Sequence, residues 1–412
     1  MIGRRRQKTE DILRLGILTS HPIQYQAPWF RALAQVLDLQ VFFAHRPTPN
    51  EQGTGFGKGF QWDVDLLEGY SHHFLRNVAR EQGLNRFRGC DTPEVVEILR
   101  STRFDAFIVS GWHLKCYWQA ARACRRARIP VFVRGDSQLL TPRSPFKRLA
   151  KKIVYRFLLR QFDGFLVAGQ RNSEYLRHYG VAPDRLFPVP HFVDNEWFAS
   201  RAAAARPQRK EIRSGWGAND NDLVVLFVGK FIPEKRIEDL VIALSKLKAT
   251  GINTIGVLVG WGELETPLRE LVEKNQAPVR FEGFKNQTEL PAIYGAADVL
   301  VLPSKSETWG LSVNEAMACG LPAIVSEVVG CAPDLIQEGQ TGFTFRTGDP
   351  QHLAERLAEF SRQLGAGQDW GAALSKKLQG HSIQTAVEGT LRAMRVASTK
   401  SNSLPTKESL AL

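Results

Sequence analysis

Two carboxylates eight residues apart, Glu307 and Glu315, stand in the part of this sequence best equipped for chemistry, SKSETWGLSVNEAMACGLPAIVS at 304–326. The preceding run ADVLVLPS is continuous, β-branched and ended by Pro303, the pattern of a strand buried in a parallel sheet. A glycine-containing turn, Glu307 to Gly310, follows it. Ser312 and Glu315 then fit the Ser-x-x-Glu capping box, which predicts a helix opened by Ser312. A loop feeding a helix beside the carboxyl end of a strand presents free N–H groups and a positive dipole end, the place where α/β proteins hold phosphate. Glu307 and Glu315 would flank such an anion cradle. The plainer alternative is a surface glutamate and a helix cap.

Cations occupy a matching place earlier. DLVVLFVGKFIPEKRIEDLVIALSKL at 222–247 reads as strand, loop and helix, with the strand running to Val228 and Ile237, Leu240, Val241, Leu244 and Leu247 on one helical face. Lys230 and Lys235 flank the loop between them, where phosphate binding suits the pair better than solvation alone. Two more strands bring polar groups to a carboxyl edge, where ligands bind in open α/β sheets. RFDAFIVSGWH ends in His113, and IPVFVRGDS delivers Arg134 and Asp136. The last two are candidates for contact with an acceptor, or else form an internal ion pair.

With the strand before it and the EAMACGLP run after it, Glu-x7-Glu resembles the sugar-nucleotide signature of retaining family 4 glycosyltransferases of the GT-B fold. The resemblance is strong over 222–346 and weaker in the first half. It implies an α/β architecture of two facing Rossmann-like, doubly wound domains with a cleft between them. It also implies transfer of a sugar, of hexosyltransferase type, from a nucleotide-diphosphate sugar to an acceptor hydroxyl with retention, in bacterial-type polysaccharide or glycolipid synthesis.

By the same resemblance Glu307 holds the sugar hydroxyls and Glu315 the ribose hydroxyls. Lys230, Lys235 and the N–H groups of Gly310 and Leu311 stabilise the departing diphosphate, and the backbone at Gly283, Phe284 and Lys285 meets the base. His113 lines the cleft near the transferred sugar. The catalytic candidates are thus Glu307, His113 and Lys235, and the acceptor-side candidates His21, Gln24, Arg134 and Asp136. Three departures from the family pattern stand out. Lys230 replaces an arginine, keeping charge but losing the bidentate fork. The first loop carries His21, Pro22, Gln24 and Gln26 in place of glycines, so that side chains would substitute for backbone contacts. The interdomain Asn-Gly is His191-Phe192. No nucleophile, metal or cofactor is implied, the nucleotide sugar being a substrate, and the leaving phosphate is expected to take the acceptor's proton. A nucleotide-sugar epimerase on a similar fold and an inactive scaffold of a glycan assembly complex are the alternatives.

The elements that must position these groups alternate strand and helix along 412 residues with 43% hydrophobic content, enough for two sizeable cores. The expected organisation is an acceptor-side domain over 1–195, a nucleotide-sugar domain over 196–375, a terminal helix over 376–396 packing back on the first domain, and a disordered tail over 397–412. The Gly-rich stretch EQGTGFGKGF (51–60) lacks Walker spacing and is expected to be a mobile loop or hairpin. Asp63 and Asp65 lie in an alternating, strand-like segment and are read as structural. Five scattered cysteines without Cys-x-x-Cys spacing suit free thiols in a reducing cytosol.

The basic N-terminus lacks the apolar core of a signal peptide, and no run approaches the roughly 20 apolar residues that span a bilayer. Of the formal +12 charge, the segment from Arg122 to Phe162 carries most, with twelve Lys or Arg against the single acid Asp136. Within it, Phe146, Leu149, Ile153, Val154, Phe157 and Leu158 mark one helical face among Lys147, Arg148, Lys151, Lys152, Arg156 and Arg160. Residues 146–162 are therefore either a core helix with a solvated face or a basic interfacial helix on an anionic membrane. The expected partners are a nucleotide-sugar donor, a glycan or lipid-linked acceptor and that membrane surface, with no nucleic acid. The expected location is the cytoplasm, with a peripheral position on the inner face of the membrane where the helix meets lipid.

Overall fold

The structure is a computed structural model that describes residues 12–140 and 145–402. It is built on two wholly parallel sheets. The first contains β1 (Arg14–Thr19), β2 (Asp38–Phe43), β3 (Ser71–Phe74), β4 (Ala106–Val109), β5 (Val131–Gly135), β6 (Gly164–Val167) and β7 (Leu186–Pro188), in the order β3-β2-β1-β4-β5-β6-β7. The second contains β8 (Leu223–Val228), β9 (Thr254–Val259), β10 (Val279–Gly283), β11 (Val299–Leu302), β12 (Ala323–Ser326) and β13 (Gly342–Phe345), in the order β10-β9-β8-β11-β12-β13. Both orders reverse at one crevice, between β1 and β4 and between β8 and β11. The loops leaving those four strands carry His21 and Gln24, His113, the two lysines, and Glu307, so each candidate lies at a crevice where doubly wound sheets bind ligands.

The strands read as apolar runs because helices cover both faces. In β4 and β11 every residue is buried. The terminal helix Ile383–Asn402 returns to the first sheet, adding Ala386, Val387 and Ala393 to the core around Trp29, Phe30 and Phe192. It continues through 397–402, so that the first six residues of the expected tail are helical; residues 403–412, the basic start of the chain, and the side chains of Phe146, Lys147, Arg148 and Leu149 lie outside the described residues.

The charged stretch between the sheets is helical, Asn195–Ala205 and Arg209–Gly215, and Arg213 turns inward to pair with Asp298 at 3.0 Å. One local expectation fails: FQWDVDLL forms no strand. Asp65 instead accepts from the N–H groups of Leu67 and Glu68, closing a turn, while Asp63 accepts from Thr288 of the other half. All five cysteines are free thiols, and no described helix is long and apolar enough to cross a membrane.

Candidate functional site

The loop after β8 lies close against its neighbour at two glycines, Gly260 and Gly262. A Cβ on Gly260, after β9, would stand 1.8 Å from the Gly229 carbonyl oxygen, so only glycine lets the two loops touch there. Lys230 leaves the end of β8, and Lys235 closes the single turn Pro233–Lys235 before the helix Ile237–Ala249. Beside it, the loop after β11 is fastened by the Lys305 N–H on the Glu234 carbonyl, 2.9 Å. It ends at Gly310, whose φ of 98° lies in the left-handed region. The helix that follows spans Leu311–Ala318. Its first N–H groups have no carbonyl behind them within the helix.

These loops bring the predicted donor residues together. Lys230, Lys235, Glu307, Gly310, Leu311, Glu315, Phe284 and Lys285 line one cavity of about 400 Å³, and Asp136 faces them from the first sheet. The Lys235 ammonium pairs with the Glu307 carboxylate, both largely buried. Lys230 donates to the Thr54 carbonyl at 2.6 Å, and burial, then the neighbouring Lys235, lower its pKa. Gly283, on the strand side of this wall, has its carbonyl taken by the Gly260 N–H at 2.8 Å. Phe284 stacks on Trp261 with ring centroids 5.4 Å apart.

Glu315 is not a helix cap. The N-cap is Gly310, with no side-chain bond, and Glu315 lies beyond the first turn. Its carboxyl, buried on all sides, accepts from Tyr294 at 2.7 Å and from Tyr25 at 3.1 Å. Burial pushes it up to about 7, against the opposing pull of the Tyr294, Tyr25 and Gln287 hydrogen bonds. The capping-box match was local. Tyr25, which arrives from the other sheet, gives the carboxyl a different partner.

The opposite wall comes from the first sheet. Asp136 accepts from the Thr308 hydroxyl at 2.8 Å and stands 3.8 Å from the His191 ring. Burial works to raise its pKa, but His191 and the Thr308 hydroxyl outweigh this and hold it at about 2. His191 itself rests on Trp309 at 5.1 Å. His21 and Gln24 line an adjoining cavity of about 730 Å³ that shares Tyr25 and Lys230 with the first. His21 is lowered to about 4 by burial and then by His45. It is neutral near pH 7.

Two candidates fall elsewhere. Arg134 does not face the cleft. It shares the side of β5 with Phe132, lies 5.3 Å over Trp29 and 5.6 Å over Phe192, and donates to the Pro190 carbonyl at 3.2 Å. A cation held between aromatic faces is structural, and the acceptor role drawn for it does not hold. His113 lies outside the donor cavity, on the wall of a separate groove, though close enough to Asp136 for that carboxylate to oppose the lowering of its pKa by burial.

The Gly-rich stretch is neither a hairpin nor detached. It opens with a short helix, Pro49–Gln52, and then crosses the cleft. Phe60 meets Phe284 at 4.5 Å, Lys58 lies 4.3 Å over Trp261, and Asn286 donates to the Gln61 carbonyl at 2.7 Å. Tyr25, Tyr294, Thr308 and this aromatic strap were missed from sequence. The strap's signal was the spacing of Phe56, Phe60 and Trp62; the other three had none.

Comparison with known proteins places this geometry. Residues 208–373 match the family model described as glycosyl transferases group 1, and residues 27–191 match the glycosyl transferase 4-like domain. Sulfoquinovosyl transferase SQD2 of Arabidopsis thaliana is 33% identical over 60% of this chain and 49% of its own length. D-inositol 3-phosphate glycosyltransferase of Corynebacterium glutamicum is 30% identical over 60% of each. The chain spans about half the length of the first curated relatives it matches. Among solved structures, Anabaena HepE in complex with UDP superposes with a TM-score of 0.68 at 16% identity, covering 95% of this chain and 100% of that one. At that identity the likeness establishes the GT-B fold.

Proposed function

For a chain that belongs to the group 1 glycosyl transferases, we propose transfer of a hexose from a nucleotide-diphosphate sugar to an acceptor hydroxyl, with retention at the anomeric carbon. One observation carries this reading. The ion pair of Lys235 and Glu307, the helix N-terminus at Gly310 and Leu311, and the buried Glu315 converge on one cavity between two sheet crevices. A diphosphate entering there draws the Lys235 ammonium from Glu307, which frees that carboxylate for sugar hydroxyls. Glu315 takes the ribose hydroxyls. As the anomeric C–O bond breaks, negative charge grows on the leaving phosphate, and Lys235, Lys230 and the helix N–H groups stabilise it. The acceptor oxygen bonds to the same carbon, and its proton passes to the leaving phosphate.

The UDP complex of HepE supports a nucleotide-sugar donor. The epimerase alternative draws no support from the relatives named above. In this reading the second sheet with its helices is the donor side and the first sheet the acceptor side. The acceptor is a glycan or a lipid-linked molecule, reached at an anionic membrane surface through the helix Pro145–Leu158 and its continuation to 162.

A panel of nucleotide sugars tests the proposal by thermal stabilisation, since ligand at 100 times its Kd adds about 2.7 kcal/mol to the native state. One donor should stabilise the protein and be turned over to nucleoside diphosphate, with product stereochemistry read by NMR. Stabilisation by none of the panel, or donor epimerised with no acceptor present, overturns it.

A further inference from the structure

A groove of about 1350 Å³ lies on the first sheet's side, away from the donor cavity. Its walls are the 78–91 loop, the helix Lys115–Ala127 and the end of the helix Pro145–Leu158. The aromatic floor is prearranged. The Trp112 indole N–H donates to the Tyr155 hydroxyl at 3.1 Å, and that of Trp118 to the Trp112 carbonyl at 2.8 Å. The polar edges are satisfied within the protein.

The groove's outer end is apolar and bare. Ten large hydrophobic side chains are exposed among the described residues, and five of them lie on this groove or on its helix. Val78, Phe87 and Phe157 line the groove, and Ile153 and Val154 share the outer face of its helix with Phe157. Phe157 is 60% and Ile153 59% exposed. The inner face carries Lys151, 4.5 Å over Tyr155 and 4.7 Å over Tyr175. The described part of this helix therefore turns its apolar stripe outward and seats a lysine among tyrosines. A contiguous apolar surface of this kind marks an interaction site.

Cations line the middle of the groove. Lys115 is paired with Asp91 and Arg86 with Glu81, but no ion pair to Arg80, Arg88 or Arg122 is present among the described residues. The inner end reaches His113, near Asp136, which itself lines the donor cavity. Passing outward from the transfer site, the chemistry thus changes from polar to cationic and aromatic, and then to bare aliphatic.

We propose that this groove binds the acceptor as a lipid-linked phosphate or diphosphate drawn from a membrane surface. Its hydroxyl end lies toward His113 and Asp136, its phosphate at Arg88 and Arg122, and its chain along Phe157, Val154 and Ile153. A soluble glycan has no use for the exposed apolar residues Ile153, Val154 and Phe157, and neither does the phosphate backbone of a nucleic acid. The inference rests on the glycosyl-transfer reading for the word acceptor.

The test uses the full chain and farnesyl diphosphate as probe, with inorganic diphosphate and farnesol as controls, followed by tryptophan fluorescence and calorimetry. Farnesyl diphosphate should bind at least tenfold more tightly than either control. Phe157→Asp and the double variant Arg88→Glu, Arg122→Glu alter exposed side chains and should retain the wild-type melting temperature. Each should weaken the probe tenfold or more and leave nucleotide-sugar binding unchanged. Wild type should also sediment with phosphatidylglycerol vesicles, and Phe157→Asp should not.

Equal affinity for farnesyl diphosphate and inorganic diphosphate, or variants that bind the probe as wild type does, overturns the inference. So does a concentration-dependent dimer abolished by Phe157→Asp, or preferential binding of an RNA oligonucleotide. Failure of the wild type to bind the probe, with its nucleotide-sugar binding intact, refutes the groove assignment alone. Probe binding with no nucleotide-sugar binding refutes the transferase reading instead.

Discussion

Replacing Glu315 by glutamine separates a buried binding group from a structural one, because its ionisation has a cost that can be calculated. Moving the carboxyl from 4.5 to about 7 corresponds to about 3 kcal/mol against the ionised form. The folded protein holds a proton that the unfolded chain releases between those values. More protons bound in the native state mean that stability falls as pH rises through this window, and the loss is complete above about pH 7. Glu315→Gln removes the titration. The amide still has to meet two tyrosine hydroxyls, at 2.7 and 3.1 Å, and that rearrangement takes back about 1–2 kcal/mol. The variant should therefore exceed wild type by about 1–2 kcal/mol at pH 8, a rise of roughly 3–6 °C in melting temperature for a unit of this size. At pH 5 it should equal wild type or fall below it.

Binding makes the second half of the same experiment. If the ionised carboxylate receives the ribose hydroxyls, UDP should bind wild type more weakly as pH falls below 7, by up to tenfold per pH unit. 2′,3′-Dideoxy-UDP, whose diphosphate titrates alike but which lacks those hydroxyls, should show a smaller dependence. Glu315→Gln should bind both nucleotides weakly and alike. Parallel melting-temperature profiles for variant and wild type between pH 5 and 8 would refute the buried-carboxyl argument. Equal UDP affinity for the two proteins would refute the ribose role.

Lys235→Ala should lower turnover 10²–10³-fold, about 3–4 kcal/mol for one lost preorganised donor, with initial rates of nucleoside diphosphate release as the readout; near-normal turnover removes Lys235 from the mechanism. Asp298→Ala leaves Arg213, only 2% exposed, without the carboxylate 3.0 Å from it. It should destabilise the second half by about 3–5 kcal/mol, measured by urea unfolding; a loss below 1 kcal/mol would mean water reaches the guanidinium. Phe60→Ala removes a ring 4.5 Å from Phe284. It should speed proteolysis within 51–63 and weaken donor binding, and an unchanged cleavage rate would show that the other contacts of the strap suffice.

The parts of the site that were legible in the sequence are those decided by neighbours along the chain. Lys230, Lys235, Glu307 and Gly310 follow buried strands, and a strand's carboxyl end in a doubly wound sheet has one address. What failed depended on contacts from far away. Glu315 satisfied a helix-capping pattern over four residues, but its partner Tyr25 stands 290 positions earlier. Arg134 was misjudged for want of counting parity. It alternates with Val133 and so shares the Phe132 side of β5, facing Trp29, whereas Asp136 lies past the strand and is free to turn into the cleft. The glycines of 51–60 suggested mobility, while Phe60 and Lys58, which pin the segment, find Phe284 and Trp261 only across the cleft.

The helix Pro145–Leu158 shows a different limit. Its stripe of apolar residues at helical spacing is real, yet Ile153, Val154 and Phe157 point outward and Lys151 points inward. Amphipathic spacing reports only that one face avoids water. Whether protein or lipid excludes that water depends on what already fills the space beneath the helix, and here tyrosines with room for an ammonium fill it. A cation over an aromatic face loses less on burial than one in an aliphatic core, so the lysine can occupy the inner position. The apolar face is left at the mouth of a cationic groove, where an amphiphile would cover it.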